Sequence, residues 1–192
     1  MSIFEHVSVF ISVILGLAVV HLLGGLSLIL DRRIPTRVYW VHMLWTVNML
    51  FFTSLVWVGN FALSEVSAFS LWHFFNLILY SMFIYLMSGL LYPVRGGEVT
   101  DFHEHFDHNR VRFYAVGLGL VITDALDGLL EQRALDSDLN VGQFFTLAVY
   151  MILFAIGMSY NNKRFDAFTA VIFFAGLLGF LQSLVMTGLV DA

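Results

Sequence analysis

The sequence predicts an all-α membrane protein built from six transmembrane helices. Three observations predict it. First, hydrophobic residues make up 59% of the 192 and charged residues 12%, against roughly 25% charged in an average soluble domain. A soluble fold of this length cannot cover that much apolar surface. Second, the apolar residues gather into six continuous runs, each near the ~20 residues that a helix needs to cross a ~30 Å hydrocarbon core. Third, the basic residues fall almost wholly into alternate breaks between the runs. This composition excludes a disordered chain, a nucleic-acid binder and a soluble enzyme, and leaves one transmembrane domain over residues 1–192 with the lipid bilayer as its first partner.

Each run is bounded by residues that stop a membrane helix. Span one, Phe4–Leu30, ends at Asp31-Arg32-Arg33-Ile34-Pro35, where charge and a proline break it. Span two, Val38–Ala62, opens with Tyr39 and Trp40, and span three, Ser70–Tyr92, opens with Trp72 and closes at Pro93. Such aromatic residues suit the headgroup layer. Span four is expected at Phe113–Leu130, after a polar loop over 94–112. Span five, Gly142–Tyr160, follows the break from Glu131 to Asn140, and span six, Ala167–Val190, follows Asn161–Asp166. The runs are continuously apolar and do not alternate, so they are helices and not barrel strands. In lipid, a helix satisfies its own backbone.

Of the nine basic residues, Arg32, Arg33, Arg37, Arg95, Arg110, Arg112, Lys163 and Arg164 lie in loops one, three and five, and Arg133 stands alone in loop four. The positive-inside rule then makes loops 31–37, 94–112 and 161–166 cytoplasmic and both termini external, in a membrane expected to be a bacterial inner membrane. The N-terminus lacks the basic region of a signal peptide, so it is expected to be retained. There is no cysteine, which excludes disulfides, thiolate metal sites and cysteine nucleophiles.

An internal repeat is expected as well. Leu15 to Leu26 and Leu118 to Leu129 are identical at six of twelve positions at an offset of 103, with Gly16 on Gly119 and His21 on Asp124. At the same offset Leu44 falls on Leu147 and Leu50-Phe51 on Leu153-Phe154, and Met87-Ser88-Gly89 resembles Met186-Thr187-Gly188. Repeats over 1–93 and 113–192, each of three helices, must have opposite orientations. Such a three-plus-three inverted repeat is an architecture of transporters.

Ionisable groups at membrane depth cost ~2.5–3.5 kcal/mol on insertion scales and mark candidate sites. Asp124 and Asp127 share one face of span four, and His21 occupies the repeat position of Asp124, so His21, Asp124 and Asp127 are the candidate ion or proton path. Glu5, His6, Asn60, His73, Asn76 and Gln143 fall at the external ends of their spans and, together with Asp127, form an expected outer polar cluster. His103, His105 and His108 stand among three carboxylates in loop three and are candidate Zn²⁺ ligands. His6 and His21 have the spacing of paired haem ligands, with His73 and His42 as their possible partners on other helices. Asp124-x-x-Asp127-Gly128 shares the start of the CDP-alcohol phosphatidyltransferase signature, but Glu131, Gln132, Thr146 and Tyr150 stand where its other residues belong, so that assignment is rejected. The one lysine, Lys163, lies in a loop, which excludes a retinal Schiff base.

The leading expectation is therefore a small channel or transporter for protons or a small ion or solute, without a cofactor. The alternatives are a non-catalytic subunit or scaffold, as a homo-oligomer or within a larger membrane complex, and a haem or metal redox protein. The topology is testable directly: a periplasmic-type reporter fused at the C-terminus is expected to be active and a cytoplasmic-type reporter silent, and the reverse result would mean a miscounted span.

Overall fold

The computed structural model describes residues 3–31, 36–59, 71–93, 99–135 and 140–186. They form six helices, α1 Ile3–Leu30, α2 Trp40–Gly59, α3 Leu71–Leu91, α4 Phe102–Leu135, α5 Val141–Ser159 and α6 Lys163–Met186. All six are long and apolar enough to cross a membrane. Their lipid-exposed faces carry large side chains such as Phe10, Val20, Trp57, Phe75, Phe145 and Phe168, as expected of helices whose outer surroundings are as apolar as their core.

Two helices start earlier than hydropathy indicates. Residues 102–112, expected within the loop over 94–112, are the first turns of α4. Asp101 caps this helix, its Oδ1 accepting the backbone N–H of His103 at 2.8 Å and of Glu104 at 3.3 Å. Those N–H groups, assisted by nearby Arg37, hold the Asp101 carboxyl below its usual range. Phe102 and Phe106, four residues apart, then turn inward and are buried, so an amphipathic stretch extends the apolar span. In α6 the helix opens at Lys163, with Asn162 Oδ1 accepting the Arg164 N–H at 2.9 Å.

The helices alternate in direction. Arg37 and Asp101 form a parallel backbone bridge, with Arg37 N–H donating to the Thr100 carbonyl at 2.7 Å and Phe102 N–H to the Arg37 carbonyl at 3.1 Å. This joins the start of α2 to the start of α4 at one end of the bundle. The same end, the basic end, carries Arg110, Arg112, Lys163 and Arg164.

α3 packs along α1 and α4, α4 along α5, and α2 along α6. The two halves therefore differ in their neighbours: α1 lies along α3, whereas α4, its counterpart in the expected repeat, lies along α3 and α5 and meets α6 through Arg110 and Tyr114. Gly119 packs on Phe83, while Gly16 faces open space.

The centre is aromatic. Trp45 of α2 is fully buried, with Phe113 of α4 at 4.8 Å, Phe173 of α6 at 5.3 Å and Phe154 of α5 at 6.2 Å between ring centroids. Edge and tilted contacts of this kind contribute roughly 0.5–1.5 kcal/mol per pair beyond area burial. One polar tie crosses beside them, from Asn48 Nδ2 to the Ala170 carbonyl at 2.8 Å. Gln182, placed by its sequence position in the outer half of span six, is exposed.

At the basic end the Tyr92 ring packs directly against Gly25, where any Cβ would collide with it. Gly25→Ala is thus expected to cost about 1–3 kcal/mol through overpacking and to lower the apparent melting temperature. Gly24→Ala, whose Cβ meets nothing within 4 Å, is expected to leave it unchanged or raise it. Parallel melts of the two variants in detergent check this.

Candidate functional site

Two polar centres are built into this apolar frame, one at each end. The first lies at the end opposite the basic one, between α3 and α4. The i, i+3 spacing of Asp124 and Asp127 puts both carboxyls on the side of α4 that looks into the bundle, about 4.5 Å apart along the axis. Asp127 faces α3, where its Oδ1 lies 3.2 Å from His73 Nε2 and accepts from Asn76 Nδ2 at 3.1 Å. The Asn76 amide gives a further hydrogen bond to the Thr123 carbonyl at 3.1 Å. The His73 side chain is 1% exposed and that of Asp127 18%, so the pair is reached from the Asp127 side. Asp124 is half-buried, one turn deeper on the same face of α4. Gln143 closes the α5 side by packing on Gly128, where a Cβ would sit 3.0 Å from its Nε2.

Of the expected outer cluster, the structure brings His73, Asn76 and Asp127 into direct contact and sets Gln143 against the same stretch of α4. The side chains of Glu5 and His6, and Asn60 altogether, lie outside the described residues.

His21 does not join this centre. Its Nε2–H donates to the Tyr92 carbonyl at 3.1 Å, and Tyr92 lies about 24 Å from Asn76 along α3 at 1.5 Å of rise per residue. His42 acts similarly, donating from Nε2 to the Leu91 carbonyl at 2.7 Å, and His105 turns towards the Leu90 and Leu91 carbonyls. Three helices thus send an imidazole to the last carbonyls of α3, which have no partner within their own helix. Tyr92 completes the arrangement, its hydroxyl donating to Thr46 Oγ1 at 3.0 Å while Thr46 donates to the His42 carbonyl. With Nε2 of His21 and His42 given to carbonyls, neither nitrogen offers haem iron a lone pair. His103 packs edge-on against Tyr39 at 4.6 Å, and His108 is exposed. Among the described residues no three His, Asp or Glu side chains form a group that could hold a metal ion.

The second centre was not foreseen as a site. Arg110 and Asp166, each expected in a polar loop, are 3% exposed and form an ion pair, Nε to Oδ1, at 3.1 Å. Tyr114 Oη donates to the same Oδ1 at 2.8 Å, and Arg110 Nη2 donates to the Tyr160 carbonyl. Tyr160 is the C-cap of α5 and Asp166 lies in the first turn of α6. The cation therefore sits at a helix C-terminus and the anion at a helix N-terminus, where both dipoles favour them. Gly157 leaves room for the Tyr114 ring, which would come 2.8 Å from a Cβ. The spacing Arg110-x-x-x-Tyr114 on one helical face was available in the sequence. Its partner in another helix was not.

Asp166→Ala leaves a guanidinium buried without its counter-charge and is expected to cost about 3–5 kcal/mol. Arg110→Met with Asp166→Leu removes both charges and is expected to recover most of that loss. Melting of the single and double variants in the same detergent measures the difference.

Comparison with protein-family models, with curated proteins and with solved structures finds no match to this chain, so its function is argued from the two centres themselves.

Proposed function

We propose that the protein is a small membrane channel or transporter for protons or a small cation, with its binding station at His73, Asn76, Asp124 and Asp127. One observation carries the reading: the Asp127 carboxylate held between the His73 imidazole and the Asn76 amide, with a second carboxylate one turn away on the same helix. A lone amide is enough to tie two membrane helices together, as Asn48 does. Two carboxylates and an imidazole in apolar helices cost far more to insert, and they are a chemistry that takes up and releases a proton or a small cation.

A barrier lies between this station and the basic end. Along α3 the buried face continues from Tyr80 through Ile84 and Met87, both with no exposure, to Ser88, and Met49 and Trp45 of α2 are equally buried. The Ser88 hydroxyl is committed to its own helix, donating to the Ile84 carbonyl at 2.9 Å. An apolar constriction of this kind blocks ions until side chains part and water enters. The distribution of basic residues supports a station facing outward and a barrier on the cytoplasmic side. His21 takes a structural part as a partner of the α3 carbonyls. The three-plus-three repeat rests on the sequence offset alone.

The same aromatic core favours a second reading, a non-conducting subunit or scaffold, alone as a homo-oligomer or in a larger complex. Flux distinguishes the two. In proteoliposomes holding a pH-sensitive dye, wild type is expected to pass protons or a small monovalent cation, and Asp124→Asn and Asp127→Asn to fall to the level of empty vesicles while eluting as folded protein. Asparagine keeps the volume and removes the charge. Wild-type vesicles as tight as empty ones would leave the scaffold reading in place.

A further inference from the structure

A cavity of about 230 Å³ opens at the basic end between the starts of α2, α4 and α6, lined by Arg37, Val38, Tyr39, Asp101, His103 and Lys163. Its position is held by main chain, through the bridge between Arg37 and Asp101. The one carboxylate in the lining caps α4 through a single oxygen: Asp101 Oδ1 accepts two N–H groups, and its Oδ2 faces Arg37. Arg37 Nη1 lies 3.6 Å from Asp101 Oδ2, and the Arg37 side chain is 83% exposed. At that separation the two form an ion pair without a hydrogen bond, so Arg37 partly offsets the Asp101 charge while its N–H donors are left for another acceptor. Lys163 has no carboxylate partner among the described residues. Two cations thus line a space that holds one carboxylate, which leaves it net positive.

The opposite wall is apolar. Val38 is 51% exposed, and the Tyr39 ring packs on His103 and, at 6.3 Å, on Phe106. Trp40, next in the chain, is 58% exposed, at a depth where indole rings sit in the headgroup layer. The volume lies below the ~300–1,000 Å³ of sites for drug-sized ligands. It suits one phosphate group and the first atoms attached to it.

We propose that this cavity binds a phosphate group, with its depth and its mixed basic and apolar walls selecting the phosphate of an anionic lipid headgroup over free phosphate. Arg37 and Lys163 supply the charge-assisted hydrogen bonds, and Val38 and Tyr39 receive the glycerol end. The proposal is independent of any transport activity.

The test uses the full chain in a neutral detergent and follows its melting temperature against added short-chain phosphatidic acid, short-chain phosphatidylcholine and inorganic phosphate. Phosphatidic acid is expected to raise the melting temperature saturably, with the other two giving little. An equal rise with inorganic phosphate would support the site but make free phosphate its ligand. Arg37→Gln with Lys163→Gln, both at exposed side chains, is expected to weaken phosphatidic acid binding about tenfold or more. Arg112→Gln removes an exposed charge on α4 at the same end but outside the cavity, and is expected to leave binding unchanged. No shift with any phosphate compound, an unaltered affinity in the double variant, or an equal loss in Arg112→Gln would overturn the proposal.

Discussion

The fold depends on how helix ends are satisfied where they fall inside the bundle. A helix that stops within protein in a membrane leaves its last carbonyls without partners and without water. α3 stops in this way: Leu91 and Tyr92 are 0% and 1% exposed. Imidazoles from α1 and α2 supply the missing donors. The end of α5 receives a guanidinium from α4 instead, with Asp166 neutralising that charge at the start of α6. One constraint thus explains why all six helices are tied together at the basic end, and why the donors that reach the helix-end carbonyls are His and Arg.

These ties also fix what lies between them. Once Tyr92 is seated on Gly25 and bonded to Thr46, α1, α2 and α3 share one depth. Trp45 lies three residues beyond His42 on α2 and meets Phe113, Phe154 and Phe173 in the next layer. The aromatic layer therefore separates the histidines of the basic end from the carboxylates of the opposite end. His21 and Asp124, which occupy equivalent places in the sequence offset, end up on different sides of it.

Hydropathy was enough to place six helices, and charge alternation to put Arg37, Arg110, Arg112, Lys163 and Arg164 at one end. The grouping of His73, Asn76 and Asp127 was also legible, because residues at the same end of neighbouring spans share a depth. The early start of α4 was hidden by its polar residues: His103, Glu104, His105, Asp107 and His108 lower the mean hydropathy of a segment that is helical because Asp101 caps it and Phe102 and Phe106 face inward. The capping residue followed three positions later by Glu104 was the local signal. The pairing of Arg110 with Asp166 had none. Both residues read as loop charges, and what brings them together is the packing of α4 against the turn between α5 and α6. The role of His21 was equally non-local, since a carbonyl at position 92 carries no mark in the sequence.

The two polar centres differ in how completely their groups are matched, and that difference divides structure from function. At the basic end Asp166 accepts from both Arg110 and Tyr114, and Arg110 is also held by a carbonyl. A fully satisfied network of this kind rigidifies its surroundings. At the other end Asp127 shares one oxygen with His73 and Asn76, is partly exposed, and has a second carboxylate one turn away. A centre whose charge is balanced by its own side chains holds helices in place. The proposed function rests on the centre that is not matched in this way, the pair of carboxyls on α4.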